Sequence, residues 1–164
     1  MPLTRFPIVV ALTGVLTSAC SDATAPVPAV AVRATIDRTQ FRVGDEVTFA
    51  TEVRNEGNAA ARVPGFPTVF LEVRDAENRV VFFGRSGTFA AVAYPPRILE
   101  PGEQLTDSPI WATRVIGPSA SAAPAGEYRV RAAVLLLTEN AFVRKALGSG
   151  YVFSEPIPIR IVAP

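Results

Sequence analysis

Gly126-Glu127-Tyr128-Arg129-Val130-Arg131-Ala132-Ala133-Val134-Leu135-Leu136 is the stretch from which the fold is read. Tyr128, Val130, Ala132, Val134 and Leu136 recur at every second position, and Arg129 and Arg131 fall between them. Successive side chains of a strand point to opposite faces, so this pattern predicts a strand with one face in a core and one in water. Upstream, Gly117 to Ala125 is Ser, Ala and Pro and reads as an exposed loop. Before it, Leu105 to Thr113 reads as a strand interrupted by Pro109, which places it at an edge or a bulge. Downstream, Thr138 to Gly150 reads as a loop, with one helical turn expected around Ala141–Leu147. Ile157, Ile159 and Ile161 then alternate with Pro158 and Arg160. That last strand is expected at an edge or with Pro158 facing outward, because proline has no N–H for a ladder.

The same period governs the rest of the body. Val30, Val32, Ala34 and Ile36 form one alternating set, and Val47, Phe49, Thr51 and Val53 a second, separated by a turn at Val43–Glu46. Asn55-Glu56-Gly57-Asn58 is a turn cluster, followed by a weak Ala-rich strand over Ala59–Val63. Val69, Leu71 and Val73 alternate, and Asp75–Asn78 closes a hairpin. Arg79 to Phe83 is an apolar run expected to be buried on both faces. Gly84–Gly87 breaks it, and Thr88 to Tyr94 is strand or loop, stopped by Pro95-Pro96. Ile98-Leu99 precedes a turn at Glu100–Glu103. Seven to nine short strands, turn signals every 8–15 residues and no long amphipathic helix predict an all-β protein. The architecture expected is an antiparallel Ig-like β-sandwich. A single cysteine precludes an intrachain disulfide, so apolar burial must join the sheets. Trp111 reads as a residue of that core.

The amino terminus has a different logic. Arg5 is followed by an apolar run of 11 residues, Phe6–Leu16, then by Thr17, Ser18, Ala19 and Cys20. The run is too short to span a bilayer and fits a signal peptide. Leu16-Thr17-Ser18-Ala19-Cys20 resembles the lipobox of bacterial lipoproteins, although Thr17 stands where that motif has an aliphatic residue. The resemblance implies a signal peptide over 1–19, cut just before Cys20, and acylation of that thiol. Residues 20–29 then hold the acylated cysteine and a flexible linker. Its nine residues Ser21–Ala29 reach about 30 Å at most. The β-domain is expected over 30–164. The chain would thus be exported and held on a lipid membrane through Cys20. Ser21, rather than Asp, after the cysteine points to an outer membrane over an inner one.

Composition excludes several chemistries. The chain has 16 basic and 15 acidic residues, and Arg5 is the only charged residue before Cys20, so the mature chain is neutral. A neutral chain lacks the basic footprint of nucleic-acid binding. There is no histidine, which removes the commonest general base and metal ligand together. Ser-Lys chemistry would need Lys145, the only lysine, which lies next to no motif. The carboxylates Asp45-Glu46, Asp75 with Glu77, and Glu100 with Glu103 sit at turns, where solvated acids belong, and no EF-hand spacing is present. No catalytic residue, cofactor or metal is expected. Binding remains, and loops on a rigid sandwich are where it is placed. The candidate loops are Pro64–Thr68, Gly84–Pro96, Gly117–Ala125 and Asn140–Gly150. The foremost is the aromatic and proline-rich one with Phe89, Tyr94, Pro95 and Pro96.

Gly126-Glu127-Tyr128 ahead of an alternating strand looks like the tyrosine corner of Ig-like domains. It follows, in order, Asn55, Val69-x-Leu71-x-Val73-x-Asp75, Val80–Phe83, Phe89, Leu99-x-Pro101-Gly102-Glu103 and Trp111. This series, over about residues 43–135, is similar to the intracellular proteinase inhibitor family, small Ig-like bacterial domains. Phe82 and Phe83 stand where that family often has Trp. The resemblance implies inhibition of subtilisin-type serine proteases and makes a protease a candidate partner. Three roles follow as expectations: a tethered non-catalytic binding module for a protein or glycan, a protease inhibitor, or an accessory subunit of an envelope complex.

Overall fold

The computed structural model describes residues 29–86, 94–115, 121–137 and 150–163. In these the strands are β1 (Val30–Thr35), β2 (Gln40–Arg42), β3 (Val47–Thr48), β4 (Ala50–Asn55), β5 (Ala61–Val63), β6 (Val69–Arg74) and β7 (Val80–Gly84). They continue with β8 (Arg97–Leu99), β9 (Gln104–Asp107), β10 (Ile110–Trp111), β11 (Gly126–Leu135), β12 (Tyr151–Phe153) and β13 (Ile157–Val162). The protein is all-β. The larger sheet has the order β2-β13-β11-β6-β7, with β12 also on β11. Opposite it lie β1-β4-β9 and the pair β10-β3, and β5 pairs β8.

The alternating run that decides the fold becomes the central strand β11. One edge pairs with β6, placing Val130 opposite Val73 and Ala132 opposite Leu71. The other edge pairs with β13 over Gly126–Val130 and with β12 over Ala133–Leu135. Between them Ser154 interrupts the ladder: its N–H donates to Ala132 O at 2.9 Å and its hydroxyl accepts from Ala132 N at 3.0 Å. Expected as a loop up to Gly150 and a strand from Ile157, this region thus contains an additional strand, Tyr151–Phe153. Pro158 is exposed, and β2 joins β13 only at Arg160–Val162, so the missing N–H has no second neighbour to serve.

Two long runs read as single strands are each broken where the chain changes partner. Val47–Asn55 breaks at Phe49: β3 pairs β10, while β4 pairs β1 and β9. The stretch with Pro109 breaks at the same level, and Phe49 N–H donates to Pro109 O at 3.1 Å. The side chains keep their period through the break, so Val47, Phe49, Thr51 and Val53 are all buried.

One expectation about the strands is corrected. β7 is not buried on both faces; it is the edge of the large sheet, and Val80 is exposed. Its apolar content serves a half-covered edge, with Phe82 turned to Trp111 (6.4 Å between ring centroids) and Phe83 on the outer face beside Phe70 (6.2 Å). The described strand pairs are antiparallel as expected, with the one exception of the short pair β2 and β13, which run parallel. The chain leaves β1 on one sheet and crosses to the other before β3, which leaves β2 running alongside the last strand.

Burial divides into two contiguous clusters. Val32, Val53 and Leu105 of the smaller layer meet Val69, Ala132 and Val134 of the larger. Phe41, Val47, Phe49 and Trp111 meet Leu71, Val73, Tyr128, Val130, Ile159 and Ile161. Each large side chain so buried stabilises the fold by about 1.5–3 kcal/mol.

Candidate functional site

Two of the loops singled out in the sequence meet at one end of the sandwich. Pro64–Thr68 joins β5 to β6, and Tyr94-Pro95-Pro96 leads into β8. β5 and β8 pair antiparallel, with Val63 opposite Arg97, so their loops emerge side by side. Gly65 is where they touch: a Cβ there would run into Pro95 O and lie 3.1 Å from Tyr94 Cβ. The Phe66 ring meets the Tyr94 ring edge-on, with centroids 5.4 Å apart. The Phe66-Pro67 peptide bond is cis.

The pair is unusually exposed for aromatic residues, at 44% for Phe66 and 49% for Tyr94. Ile98, within β8 and opposite Arg62, is a further exposed large apolar side chain at 53%. Pro95 and Pro96 are exposed as well. Exposed apolar side chains in contact, as Phe66 and Tyr94 are, mark interaction sites more often than isolated ones do.

The exposed rings stand on a rigid base. Buried Thr68 donates its hydroxyl to Pro64 O and Gly65 O, both at 3.1 Å, and so ties the loop to itself. The Arg85 guanidinium lies 5.4 Å from the Phe66 ring centroid. Its Nη1 donates to both oxygens of Asp107, at 2.8 and 2.7 Å, and its Nη2 to Ser108 O at 3.2 Å. Asp107 also accepts from Ser108 N at 2.7 Å and from Val69 N at 3.3 Å. Both partners of the ion pair are largely buried, at 12% and 13% side-chain exposure. The network joins the end of β7, the end of β9 and the start of β6 beneath the loops.

The remaining residues named from the sequence are placed elsewhere. Phe89, Cys20, the segment 1–28, most of Gly84–Pro96 before Tyr94, and 138–149 lie outside the described residues. Trp111 is fully buried, and its Nε1 donates to Arg114 O at 2.9 Å. Tyr128, at the start of β11 after Gly126, packs edge-on against Trp111 (5.7 Å) and donates its hydroxyl to Pro124 O at 2.8 Å. Burial pushes that hydroxyl's pKa up, and the charges of Asp75 and Glu77 add to the effect. Of the loop Gly117–Ala125, expected to be exposed, Ala123 is fully buried: its N–H donates to Thr113 O at 2.6 Å, drawing the methyl group under Trp111's cluster. Among the described residues no group of three or more His, Cys, Asp or Glu could hold a metal ion.

No family model and no curated protein sequence matches the chain. Solved structures do. A β-glucosidase of Listeria innocua in complex with glucose matches with a TM-score of 0.50 and 10% identity, over 82% of this chain and 16% of that one. A β-glucosidase of Erythrobacter marinus matches with 0.47 and 17%, over 82% and 16%. The CARDB domain of a Pyrococcus furiosus protein, in complex with di-metal ions, matches with 0.43 and 15%, over 84% and 96%. The chain spans about one sixth of the length of the glucosidases. At these identities the likeness concerns the fold alone and brings no glucosidase activity to this chain.

Proposed function

We propose that this protein is a non-catalytic binding module of the bacterial cell envelope, anchored to a membrane through acylated Cys20 and docking a protein partner with the Phe66–Tyr94 loop pair. The observation that carries the reading is the pair itself: two half-exposed aromatic rings from separate loops, in edge contact, above a buried Arg85–Asp107 ion pair. A rigid, preordered apolar surface loses little entropy on binding, and aromatic anchors dominate the energy of protein interfaces. The tether rests on the resemblance of Leu16–Cys20 to a lipobox and on the apolar run before it. Two or more acyl chains would hold it stably.

The experiment is co-purification of the full-length chain from detergent-solubilised envelopes of its own cells, beside the Phe66→Ala/Tyr94→Ala variant. A partner retained by the wild type and lost by the variant is the expected outcome. A lone monomer in both preparations would sink the reading. A second reading, inhibition of a subtilisin-type protease, is favoured by the exposed Tyr94-Pro95-Pro96 stretch being braced against Gly65. Stoichiometric inhibition of subtilisin by a protein that stays uncut would establish it.

A further inference from the structure

The outer face of the large sheet carries a charged cluster that shares no residue with the loop pair. Glu72 of β6 lies on that face, yet its side chain is only 7% exposed. Its Oε1 accepts from Arg74 Nε at 2.6 Å and from Arg131 Nε, on β11, at 2.8 Å. Arg74 Nη1 donates to Asn78 O at 2.9 Å. The Arg131 guanidinium sits over the Phe153 ring, its carbon 3.8 Å from the ring centroid. Both guanidiniums are therefore fixed through Nε, and each keeps part of its fork directed elsewhere. Arg129 completes the cluster, directly opposite Arg74 in the β11–β6 register. Like charges facing each other across a sheet are destabilising, so the fold itself gains nothing from that pairing.

Glu72, Arg74, Arg129 and Arg131, with Asn78 and Pro156, line a groove of about 340 Å³. Three guanidiniums against one carboxylate leave two positive charges in excess among the groove's lining residues, in a chain whose overall formal charge is only +1. Planar forks held in place are the donors that suit carboxylates. We propose that this groove seats the carboxylates of an acidic segment of a protein partner. The neighbouring rings favour a protein over a sugar. Phe83 and Tyr151 stand at 81° to each other, Tyr151 and Phe153 at 39°, and Arg131 occupies the Phe153 face, so the rings form no flat platform for a pyranose. Aromatic and arginine side chains together are the composition of protein interfaces.

The groove shares no residue with the Phe66–Tyr94 pair, so the two surfaces fail or succeed separately. The test is fluorescence anisotropy of a labelled oligoglutamate peptide titrated with the full-length protein in detergent. Saturable binding that weakens with added salt is expected. Arg129→Glu, at an exposed position, weakens it by about tenfold or more. Arg54→Glu, on an exposed face of β4, and Phe66→Ala/Tyr94→Ala leave it unchanged. The proposal is overturned by absent saturable binding, by equal binding to Arg129→Glu, or by oligogalacturonate binding more tightly than the peptide, which would assign the groove to an acidic glycan.

Discussion

Asn55 shows how much one side chain settles. It is fully buried at the end of β4, and every polar atom of its amide is used. Nδ2 donates to Ala59 O at 2.8 Å and to Leu99 O at 2.9 Å, and Oδ1 accepts from Gly57 N at 3.0 Å. It closes the turn that follows β4 and ties it to β8. Asn55→Ala strips the buried Leu99 carbonyl of its partner, a loss that costs about 1–3 kcal/mol, and removes two part-buried bonds, to Ala59 O and from Gly57 N, as well. A destabilisation of at least about 2 kcal/mol in urea unfolding is expected. A midpoint within error of wild type would contradict this role.

Glu72 makes the same point with charge. Burial disfavours its ionised form, but hydrogen bonds from Arg74 and Arg131, and their charges, outweigh burial and hold the carboxyl below the ordinary glutamate range. A folded pKa below the unfolded one contributes stability that is present above the unfolded value and is lost as pH falls through the folded one. The wild type is therefore expected to exceed Glu72→Gln in stability at neutral pH. The gap narrows as pH drops below 4.5, the ordinary value. Paired denaturation curves across that range measure it, and a gap independent of pH would refute the linkage.

At the scale of elements, periodicity was legible and partnership was not. The alternation in Tyr128–Leu136, Val69–Val73 and Val30–Ile36 reports which side of a strand is buried, and the sheets use those sides. Alternation carries no information about which strand lies alongside. The breaks at Phe49 and Pro109, which hand a continuous buried face from one neighbour to another, therefore had no local signal beyond the proline. The three-residue strands β2 and β12 were missed for a related reason: each is too short to show a period, and each is held by a long-range partner. β7 was misjudged because an apolar run looks the same at a buried centre and at a half-covered edge.

The candidate site divides the same way. Tyr94, Pro95 and Pro96 were legible as an aromatic, proline-rich segment, and Phe66 lay within a named loop. Arg85 and Asp107 were not, since a pair 22 positions apart leaves no pattern in either neighbourhood. Their role is to join β7, β9 and the start of β6. Removing one partner of a buried pair leaves the other charge uncompensated, at a cost of about 3–5 kcal/mol. Asp107→Ala is expected to lower stability by that order, and Arg85→Ala likewise, while the exposed pair Arg33–Glu56 (3.9 Å) tolerates Glu56→Ala with little change. Thermal unfolding of the three variants measures the contrast. Equal effects at the two pairs would show that burial does not set the difference.

For the whole molecule, the two core clusters share β6 and β11, so both ends of the sandwich rest on the same central strands. The loop pair is thereby carried on a stiff body, and the acidic and basic residues balance once the amino-terminal segment before Cys20 is set aside. Such a body suits presentation of a fixed apolar surface, as the proposed function requires. The proposed role requires that this surface meet a partner in place. A photoreactive residue at position 94, with the same residue at exposed position 54 as control, can be crosslinked in intact cells and read in the membrane fraction. The account predicts one discrete adduct from position 94, in the membrane fraction, and none from 54. No adduct at 94, or the same adducts from both positions, would contradict it.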